Sequence, residues 1–249
     1  MRSPLTNWSG LLRTRLSALL PCVCALCGET AAQPLCEPCR RQFVVQPTQR
    51  CRCCALPSPA LTAASPLCGA CLATPPPFDA TLVAADYQAP LDQLVLALKF
   101  TGKLALAPLL GKLLLDATLA GHDRTQALPM LLAPVPLSAL RLRERGFNQA
   151  LEIARPLSRA LGVPLAARLL ERVRETRAQA ELPLAERHAN LRRAFVVSPA
   201  AIDRVAGRHI GVVDDVMTTG ATLNEVAATL KRFGATRVTN LVFARTLPN

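Results

Sequence analysis

Apolar runs and helical periodicity divide the chain after residue 75 into alternating strands and helices. Short apolar runs predict strands at 81–87, 130–135, 169–173, 210–213 and 238–244, and the run at 210–213 is typical of a buried parallel strand. Apolar residues at helical spacing predict helices at 91–100, 104–119, 147–161 and 223–233. This alternation indicates an α/β domain with a parallel sheet and helices on both faces.

The polar residues after the strand at 210–213 are the most informative stretch. Asp214 and Asp215 end the apolar run, a loop of small residues and hydroxyls follows, and a helical pattern starts at about Leu223. Backbone N–H groups and the helix dipole favour a phosphate at such a helix start. The two carboxylates suit sugar hydroxyls or Mg²⁺ instead. The stretch predicts a site for a phosphorylated sugar, although an ordinary strand end with a helix cap would explain the acidic pair alone.

The whole stretch from Ile210 to Thr222 resembles the phosphoribosyl pyrophosphate (PRPP) binding motif of type I phosphoribosyltransferases. The resemblance implies that Asp214 and Asp215 contact the ribose hydroxyls and that the loop after them holds the 5-phosphate. It implies that these two residues bind PRPP together with Val216, Met217, Thr218, Thr219, Gly220, Ala221 and Thr222.

A cationic segment follows the strand at 130–135. Arg141, Arg143 and Arg145 stand at every second position. Residues two apart do not share a helix face, so the segment is predicted to be extended or a loop with cations converging on a ligand. A solvated run of charges is the alternative.

Type I phosphoribosyltransferases carry a pyrophosphate loop at this point of the chain. The resemblance places that role on 138–145, with Ser138 as a PRPP ligand. It assigns Arg143 and Arg145 to catalysis together with Asp214 and Asp215. Lys99 is also predicted to bind PRPP, although a cation is favoured near any helix C-terminus.

All ten cysteines lie between Cys22 and Cys71, and eight of them form four C-x-x-C pairs. Two such pairs complete a tetrahedral set of four thiolates, which suits structural Zn²⁺ better than a secreted disulfide framework. Two zinc sites are therefore predicted, while Cys22 and Cys53 are left over. Pairing in chain order is favoured by the gaps, and crossed pairing of the first with the third is the alternative. The predicted ligands are Cys24, Cys27, Cys36, Cys39, Cys51, Cys54, Cys68 and Cys71.

Charge and composition add a preference for anionic partners. The net charge of +12 favours phosphorylated or nucleic-acid partners, although a genomic bias toward Arg would produce the same excess. No run of eighteen apolar residues occurs, so no membrane insertion is predicted. Arg13 and Arg15 interrupt the apolar patch near the start. We therefore predict a short amphipathic helix there and a cytoplasmic protein.

These features together resemble the competence protein F (ComF) family from about Leu20 to Ala244. The resemblance rests on the cysteine pairs, the PRPP motif, Arg-Glu-Arg-Gly-Phe-Asn-Gln at 143–149, and Thr176, Gln179, Leu182, Arg187, Asn190 and Phe195. It implies an N-terminal helix and double zinc ribbon at 1–75, followed by a phosphoribosyltransferase domain at 76–249. The polar segment at 174–191 is interpreted as an exposed loop and helix or as a flap that closes over the diphosphate.

Two functions follow from the resemblance. The first is an accessory role in DNA uptake, with PRPP and Mg²⁺ bound and with single-stranded DNA, an uptake helicase and recombination proteins as partners. The second is an active nucleobase phosphoribosyltransferase in purine or pyrimidine salvage. No aromatic platform for a base is evident, because Phe147, Phe195 and Phe243 all fit core positions. This favours the first function, and a pure PRPP sensor is a third option.

Overall fold

The structure is a computed structural model that describes residues 22–44, 49–62, 64–121, 127–173 and 194–247. The predicted N-terminal helix, and the polar segment that contains Thr176 to Asn190, lie outside these residues. Contacts divide the chain into two units, Met1–Val45 and Gln46–Asn249. This division falls earlier than the boundary predicted at residue 75, which stays a prediction about the sequence modules.

The smaller unit is built around four cysteines. Its described elements are β1 (Cys22–Val23), β2 (Thr30–Ala31) and α1 (Glu37–Phe43), with β1 and β2 paired antiparallel. Cys24, Leu35 and Cys39 are its buried residues in the described part of the chain. So small an apolar core cannot hold a fold together unless a metal or another staple contributes.

The larger unit contains a four-stranded parallel sheet in the order β3-β8-β7-β4. Its strands are β3 (Ala80–Asp86), β4 (Leu131–Pro134), β7 (His209–Met217) and β8 (Arg237–Arg245). A separate antiparallel pair is formed by β5 (Leu170–Arg172) and β6 (Phe195–Val197). Its helices are α2 (Gly69–Ala73), α3 (Leu91–Thr101), α4 (Ala107–Gly121), α5 (Ala139–Arg145), α6 (Gln149–Leu161) and α7 (Ala221–Arg232).

Helices cover both faces of this sheet, as predicted. Successive side chains of a strand point to opposite faces. Ile210 and Val212 of β7 belong to the apolar cluster that includes α7 and the β5–β6 pair. Val213 lies outside that cluster and is fully buried, and α4 and α6 pack against each other and the sheet. The fold of the larger unit is therefore a parallel α/β sheet with helices on both faces.

The second cysteine segment packs onto the first of these faces. Cys51, Cys53, Cys54 and Cys71 lie in the same apolar cluster as α7 and the alternate residues of β7. The N–H of Thr81, in β3, donates to the carbonyl of Arg52 at 3.1 Å. The second cysteine segment is therefore part of the core of the larger unit.

The segment at 139–145 is a helix, so the prediction of an extended segment or loop was wrong. Ser138 caps α5 by accepting from the N–H of Arg141 at 3.4 Å, and Gly146 ends it in the left-handed region with φ +78°. Ala, Leu, Arg and Glu between these caps are strong helix formers. Local helix signals therefore outweighed the alternation of charge.

Strand β7 is longer than the apolar run that predicted it. It continues through the acidic pair to Met217, because β8 pairs with it as far as Met217 opposite Arg245. Helix α7 then begins at Ala221, two residues before the predicted start. The loop between strand and helix is consequently only three residues long, from Thr218 to Gly220.

The helical stretch Leu104–Gly121 is long and apolar enough to cross a membrane by length and composition alone. A core helix of a globular protein meets the same test. Leu110 and Leu114 of this stretch are fully buried, and α4 packs against β3 and α6. The buried leucines of this stretch thus pack inside the larger unit.

Candidate functional site

The acidic pair lies at the carboxyl end of β7, where α3 reaches it from one face of the sheet. Lys99, in the last turn of α3, places Nζ 2.7 Å from Oδ2 of Asp215. The two side chains are 20% and 9% exposed, so this ion pair is largely shielded from water. Lys99 and Asp215, which were predicted separately, therefore meet in one site.

Asp214 is the half-buried member of the pair. Its Oδ1 accepts from the N–H of Asp215 at 2.9 Å, and Oδ1 of Asp215 accepts from the N–H of Val216 at 2.9 Å. Burial raises the pKa of Asp214 well above its usual value, the neighbouring Asp215 raises it further, and Lys99 opposes both. A carboxylate in this position is costly unless a ligand such as a sugar hydroxyl or a cation satisfies it.

The loop after the pair forms an uncapped helix start. Gly220 is the N-cap of α7 with φ +83°, and it makes no side-chain cap hydrogen bond. A Cβ at this position would lie 2.7 Å from Cε of Met217, the end of a flexible side chain that can move, so the positive φ is the reason that glycine is favoured here. Thr218 is exposed, and Oγ1 of Thr219 accepts from the N–H of Ala221 at 3.3 Å. This arrangement presents the amide end of a twelve-residue helix, which favours an anion.

The predicted cations of α5 divide between two faces of that helix. Arg145 lies over the ring of Phe100, with Cζ 5.5 Å from the ring centroid. Burial lowers the pKa of Arg145, and the charge of Asp215 opposes that change. Arg143 is exposed and two residues away on the helix, so it does not share the face of Arg145. Ser138 is buried as the helix cap, and its predicted contact with PRPP stays a prediction.

Arg172 belongs to the site although the sequence interpretation passed over it. It lies on β5, with Cζ 5.6 Å from the ring centroid of Phe195. Burial lowers the pKa of Arg172, the charge of Arg141 lowers it further, and Asp214 opposes them. The sequence offered one signal for this residue, which is a charged side chain within the predicted short strand at 169–173. Asp214 therefore lies in the field of a cation from the β5–β6 side.

Arg245 is a second residue that the sequence interpretation missed. It is 5% exposed, and its Nη1 donates to the carbonyls of Met217 at 3.0 Å, Thr246 at 2.7 Å and Thr218. Its Nε donates to the carbonyl of Cys54 at 3.1 Å. One guanidinium thus connects the loop after the acidic pair with the second cysteine segment.

Among the described residues, the eight predicted metal ligands form two sets in chain order, which excludes the crossed pairing. In each set the four sulfur atoms lie within 4.8 Å of one another. The Sγ atoms of Cys27 and Cys36 are 3.7 Å apart, as are those of Cys54 and Cys68. Four thiolates at about 2.3 Å from Zn²⁺ lie about 3.8 Å from each other in a tetrahedron. The thiol geometry therefore fits zinc in both sets.

Backbone N–H groups favour a thiolate in each set. Burial raises the pKa of Cys24, but N–H groups that include those of Cys36 and Cys27 bring it down to about 6. Burial likewise raises the pKa of Cys51, and N–H groups that include those of Cys54 and Cys68 bring it down to about 7. A thiolate is the form that binds a metal.

The two remaining cysteines have other partners. Sγ of Cys22 donates to the carbonyl of Ala31 at 3.2 Å, and Sγ of Cys53 donates to that of Phe78 at 3.7 Å. Both lie outside the two sets of four sulfur atoms, as predicted.

Comparisons with known proteins show what this chain is similar to. Residues 148–246 match the family described as phosphoribosyl transferase domain. A DNA utilization protein YhgH from Salmonella typhi is 37% identical over 92% of this chain and 99% of its own length. Competence protein F from Haemophilus influenzae is 34% identical over 69% of this chain and 75% of its own length. A PRPP amidotransferase structure from B. subtilis aligns with 55% of this chain and 26% of its own, at 19% identity and a TM-score of 0.34.

Proposed function

The chain belongs to the ComF (competence protein F) family, and on this basis we propose that it binds PRPP with Mg²⁺ and supports the use of incoming single-stranded DNA. The observation that carries the PRPP proposal is the junction of β7 and α7. There a half-buried carboxylate whose pKa is raised lies beside an uncapped helix start. Two carboxylates and an anion-binding helix end, so close together, match the hydroxyls and the phosphate of a phosphoribosyl group.

Each part of the ligand has a counterpart in the chain. Asp214 accepts from the ribose hydroxyls, and the segment at 217–222, which runs from the end of β7 into the first turn of α7, receives the 5-phosphate. Lys99 holds Asp215 in place at 2.7 Å and brings a positive charge toward the diphosphate, as does Arg145. Mg²⁺ would neutralise further charge on the diphosphate. The chain's own contribution is therefore positioning and electrostatic stabilisation.

An active nucleobase phosphoribosyltransferase is the second candidate function. It is favoured by the match of residues 148–246 to the phosphoribosyl transferase domain. In that reaction the bond from C1′ of the ribose to pyrophosphate would break, C1′ would bond to a ring nitrogen of the base, and the proton of that nitrogen would pass to the departing pyrophosphate or to water. Arg145 would stabilise the departing pyrophosphate, while Asp214 orients the ribose.

The PRPP proposal predicts a large thermal stabilisation of the wild-type protein. A ligand at one hundred times its Kd stabilises a protein by about 2.7 kcal/mol. PRPP with Mg²⁺ should raise the melting temperature of the larger unit, and ribose 5-phosphate or pyrophosphate alone should raise it less. Absence of any shift at millimolar PRPP would contradict the proposal. Release of pyrophosphate with one of a panel of bases would establish the transferase, and binding without release would leave a sensor or accessory role.

Metal binding is the structural part of the proposal. We propose that each set of four cysteines holds one Zn²⁺ in a closed tetrahedral site. No ligand position is then left for chemistry, so both metals are structural. In the smaller unit the metal replaces a core, and in the larger unit it reinforces one.

The DNA proposal predicts single-strand binding that weakens steeply with salt. The support comes from the net charge of +12 and from relatives named DNA utilization protein and competence protein F. Each phosphate neutralised on a single strand contributes a slope of about −0.7 to log K against log salt. Titrations of a labelled oligonucleotide between roughly 50 and 200 mM salt measure that slope. Affinity that is flat over this range would remove the electrostatic account, and heparin shows how much of the binding any polyanion can displace.

The remaining parts of the proposal follow from the DNA role. The protein would act in the cytoplasm, where an incoming single strand meets helicase and recombination proteins. A salvage transferase would work in the same compartment without such partners. Co-purification with single-strand-processing proteins only in the presence of DNA would separate the two.

A further inference from the structure

Phe100 is the residue of the site that the proposed phosphosugar contacts leave unexplained. It is 71% exposed, although four other apolar residues of the same helix are buried. Leu91, Leu94, Val95 and Leu98 form the inner face of α3. An exposed phenyl ring gains nothing from the core, so its position calls for a contact on the surface.

The surroundings of the ring are cationic and close to the acidic pair. Phe100 directly follows Lys99, whose Nζ is 2.7 Å from Asp215. Arg145 lies over one face of the ring at 5.5 Å, and its charge also interacts with Asp215. Lys103 is exposed just beyond the end of the helix. The ring therefore lies at the edge of the proposed phosphosugar site and among groups that attract phosphates.

We propose that Phe100 and Arg145 form a stacking platform for an unpaired nucleobase beside the phosphosugar site. This inference rests on the proposed function, and it names the class of ligand that binds at the edge of the proposed phosphosugar site. Phenyl rings and guanidinium planes both stack on bases, and neighbouring cations hold the phosphates that accompany them. The base belongs either to an acceptor of the transferase reaction or to a single strand of DNA.

The chemistry around the ring favours a base over a protein partner. Arg145 covers one ring face and leaves a planar surface with a positive rim. A base offers a π face for the ring. A phosphate lies near it, either in the same strand or on the neighbouring phosphosugar, and is attracted by the cations. A second copy of this strongly basic chain would bring further positive charge against the same cations. Self-association is thus the occupant that the test must detect.

The test compares Phe100→Leu with Phe100→Trp, on oligothymidylate and on an abasic oligonucleotide of the same length. Leucine keeps apolar bulk and removes the π face, whereas tryptophan keeps it. Since stacking contributes about a 5- to 150-fold change in affinity for each base, Phe100→Leu should lose that factor on oligothymidylate and nothing on the abasic strand. Phe100→Trp should bind both strands at least as tightly as the wild type. Leu119→Ala, which alters a 56% exposed leucine at the far end of α4, should change neither.

Free adenine, guanine, hypoxanthine and uracil distinguish the two sources of the base. Loss of affinity for a free base in Phe100→Leu assigns the platform to the acceptor. Loss on oligothymidylate alone assigns it to the strand. Equal affinities of wild type and Phe100→Leu for every base and strand would overturn the platform, as would a dimer that Phe100→Leu dissociates in sedimentation analysis.

PRPP binding by calorimetry separates this inference from the function on which it rests. Phe100→Leu should bind PRPP with Mg²⁺ as the wild type does, because the ring is not among the proposed PRPP contacts. If the wild type binds PRPP, and Phe100→Leu binds every base and strand with the affinity of the wild type, the platform is rejected and the PRPP site is kept. A wild type that does not bind PRPP would reject the site itself.

Discussion

Replacing Asp214 with asparagine is expected to weaken PRPP binding strongly while the ligand-free protein keeps or gains stability. A hydrogen bond to a charged group contributes about 1.5–3 kcal/mol, which corresponds to about 10- to 150-fold in Kd. The amide keeps the shape of the side chain and loses the charge that the ribose hydroxyls would contact. Calorimetry with PRPP and Mg²⁺ measures the first effect, and thermal melting without ligand measures the second.

Stability without ligand should depend on pH in a defined direction. Because burial raises the pKa of Asp214, the native state holds a proton that the unfolded chain has already released. Wild-type stability therefore falls as pH rises from the ordinary carboxyl value through the raised one. Asp215 strengthens this effect, whereas Lys99 opposes it and Arg172 lies in the field of the same carboxylate. The advantage of Asp214→Asn should thus be present at neutral pH and shrink as the solution is acidified.

Asp215→Asn is the matched comparison, and its stability should change in the opposite direction. This substitution removes the carboxylate that Lys99 contacts at 2.7 Å, and both side chains are largely shielded from water. The unpaired ammonium should lower the melting temperature, and Lys99→Met in the same background should restore part of it. The double variant Asp214→Asn/Asp215→Asn should lose PRPP binding and remain folded. If Asp214→Asn instead melts well below the wild type, the residue is a structural cap and the PRPP site is rejected.

The parallel sheet and the position of the acidic pair were predictable because both depend on local patterns. Strands buried on both faces form nearly continuous apolar runs, as Ile210 to Val213 shows. The loop that follows β7 is short and rich in small residues, so its chemistry can be read without knowing its neighbours. The cysteine sets were predictable for the same reason, since C-x-x-C spacing places two sulfur atoms on one turn.

Helix α5 shows where a local pattern was weighed wrongly. The alternating arginines favour an extended segment, yet Ser138 and Gly146 at the two ends are capping residues that indicate a helix. Of the two predicted catalytic arginines, Arg145 interacts with the charge of Asp215, whereas Arg143 is exposed. The helical geometry explains this division, because Arg143 projects from a different face.

Phe100 and Arg245 could not be assigned from the sequence, because their settings depend on distant parts of the chain. Phe100 continues an apolar helix pattern, and its exposure is decided by which face of α3 meets the sheet. Arg245 is the last residue of β8, whose sequence resembles that of any other core strand. Its acceptors at Cys54 and Met217 come from residues 191 and 28 positions away.

Loss of the second metal set is expected to destabilise the larger unit and to weaken PRPP binding, whereas loss of the first set should do neither. Cys36 and Cys68 offer a matched pair for this comparison. Each is half-buried, each precedes a short helix as its N-cap, and each belongs to a different set. Metal analysis should find two Zn²⁺ in the wild type and one in Cys36→Ser or Cys68→Ser.

The reason for the difference is that the second set packs in the core of the larger unit. Arg245 also connects it to the loop at 218–220. Cys51 and Cys54 pack in the apolar cluster of the sheet, and the carbonyl of Cys54 accepts from Arg245. The same guanidinium holds the carbonyls of Met217 and Thr218. If the segment around Cys54 moves when the metal is lost, Arg245 loses one of its acceptors. The loop at 218–220 is then held less firmly by the same guanidinium.

Arg245→Lys tests that connection without touching a metal ligand. Lysine keeps the charge but cannot reproduce the fork that bridges two segments, so at least one buried carbonyl is left unsatisfied at a cost of about 1–3 kcal/mol. Arg245→Lys should retain two Zn²⁺, melt at a lower temperature and bind PRPP more weakly than the wild type. Cys22→Ser, at a cysteine outside both sets, should behave as the wild type in all three measurements. Unchanged PRPP affinity in both Cys68→Ser and Arg245→Lys would show that the second metal set supports the fold alone and has no influence on the phosphate loop.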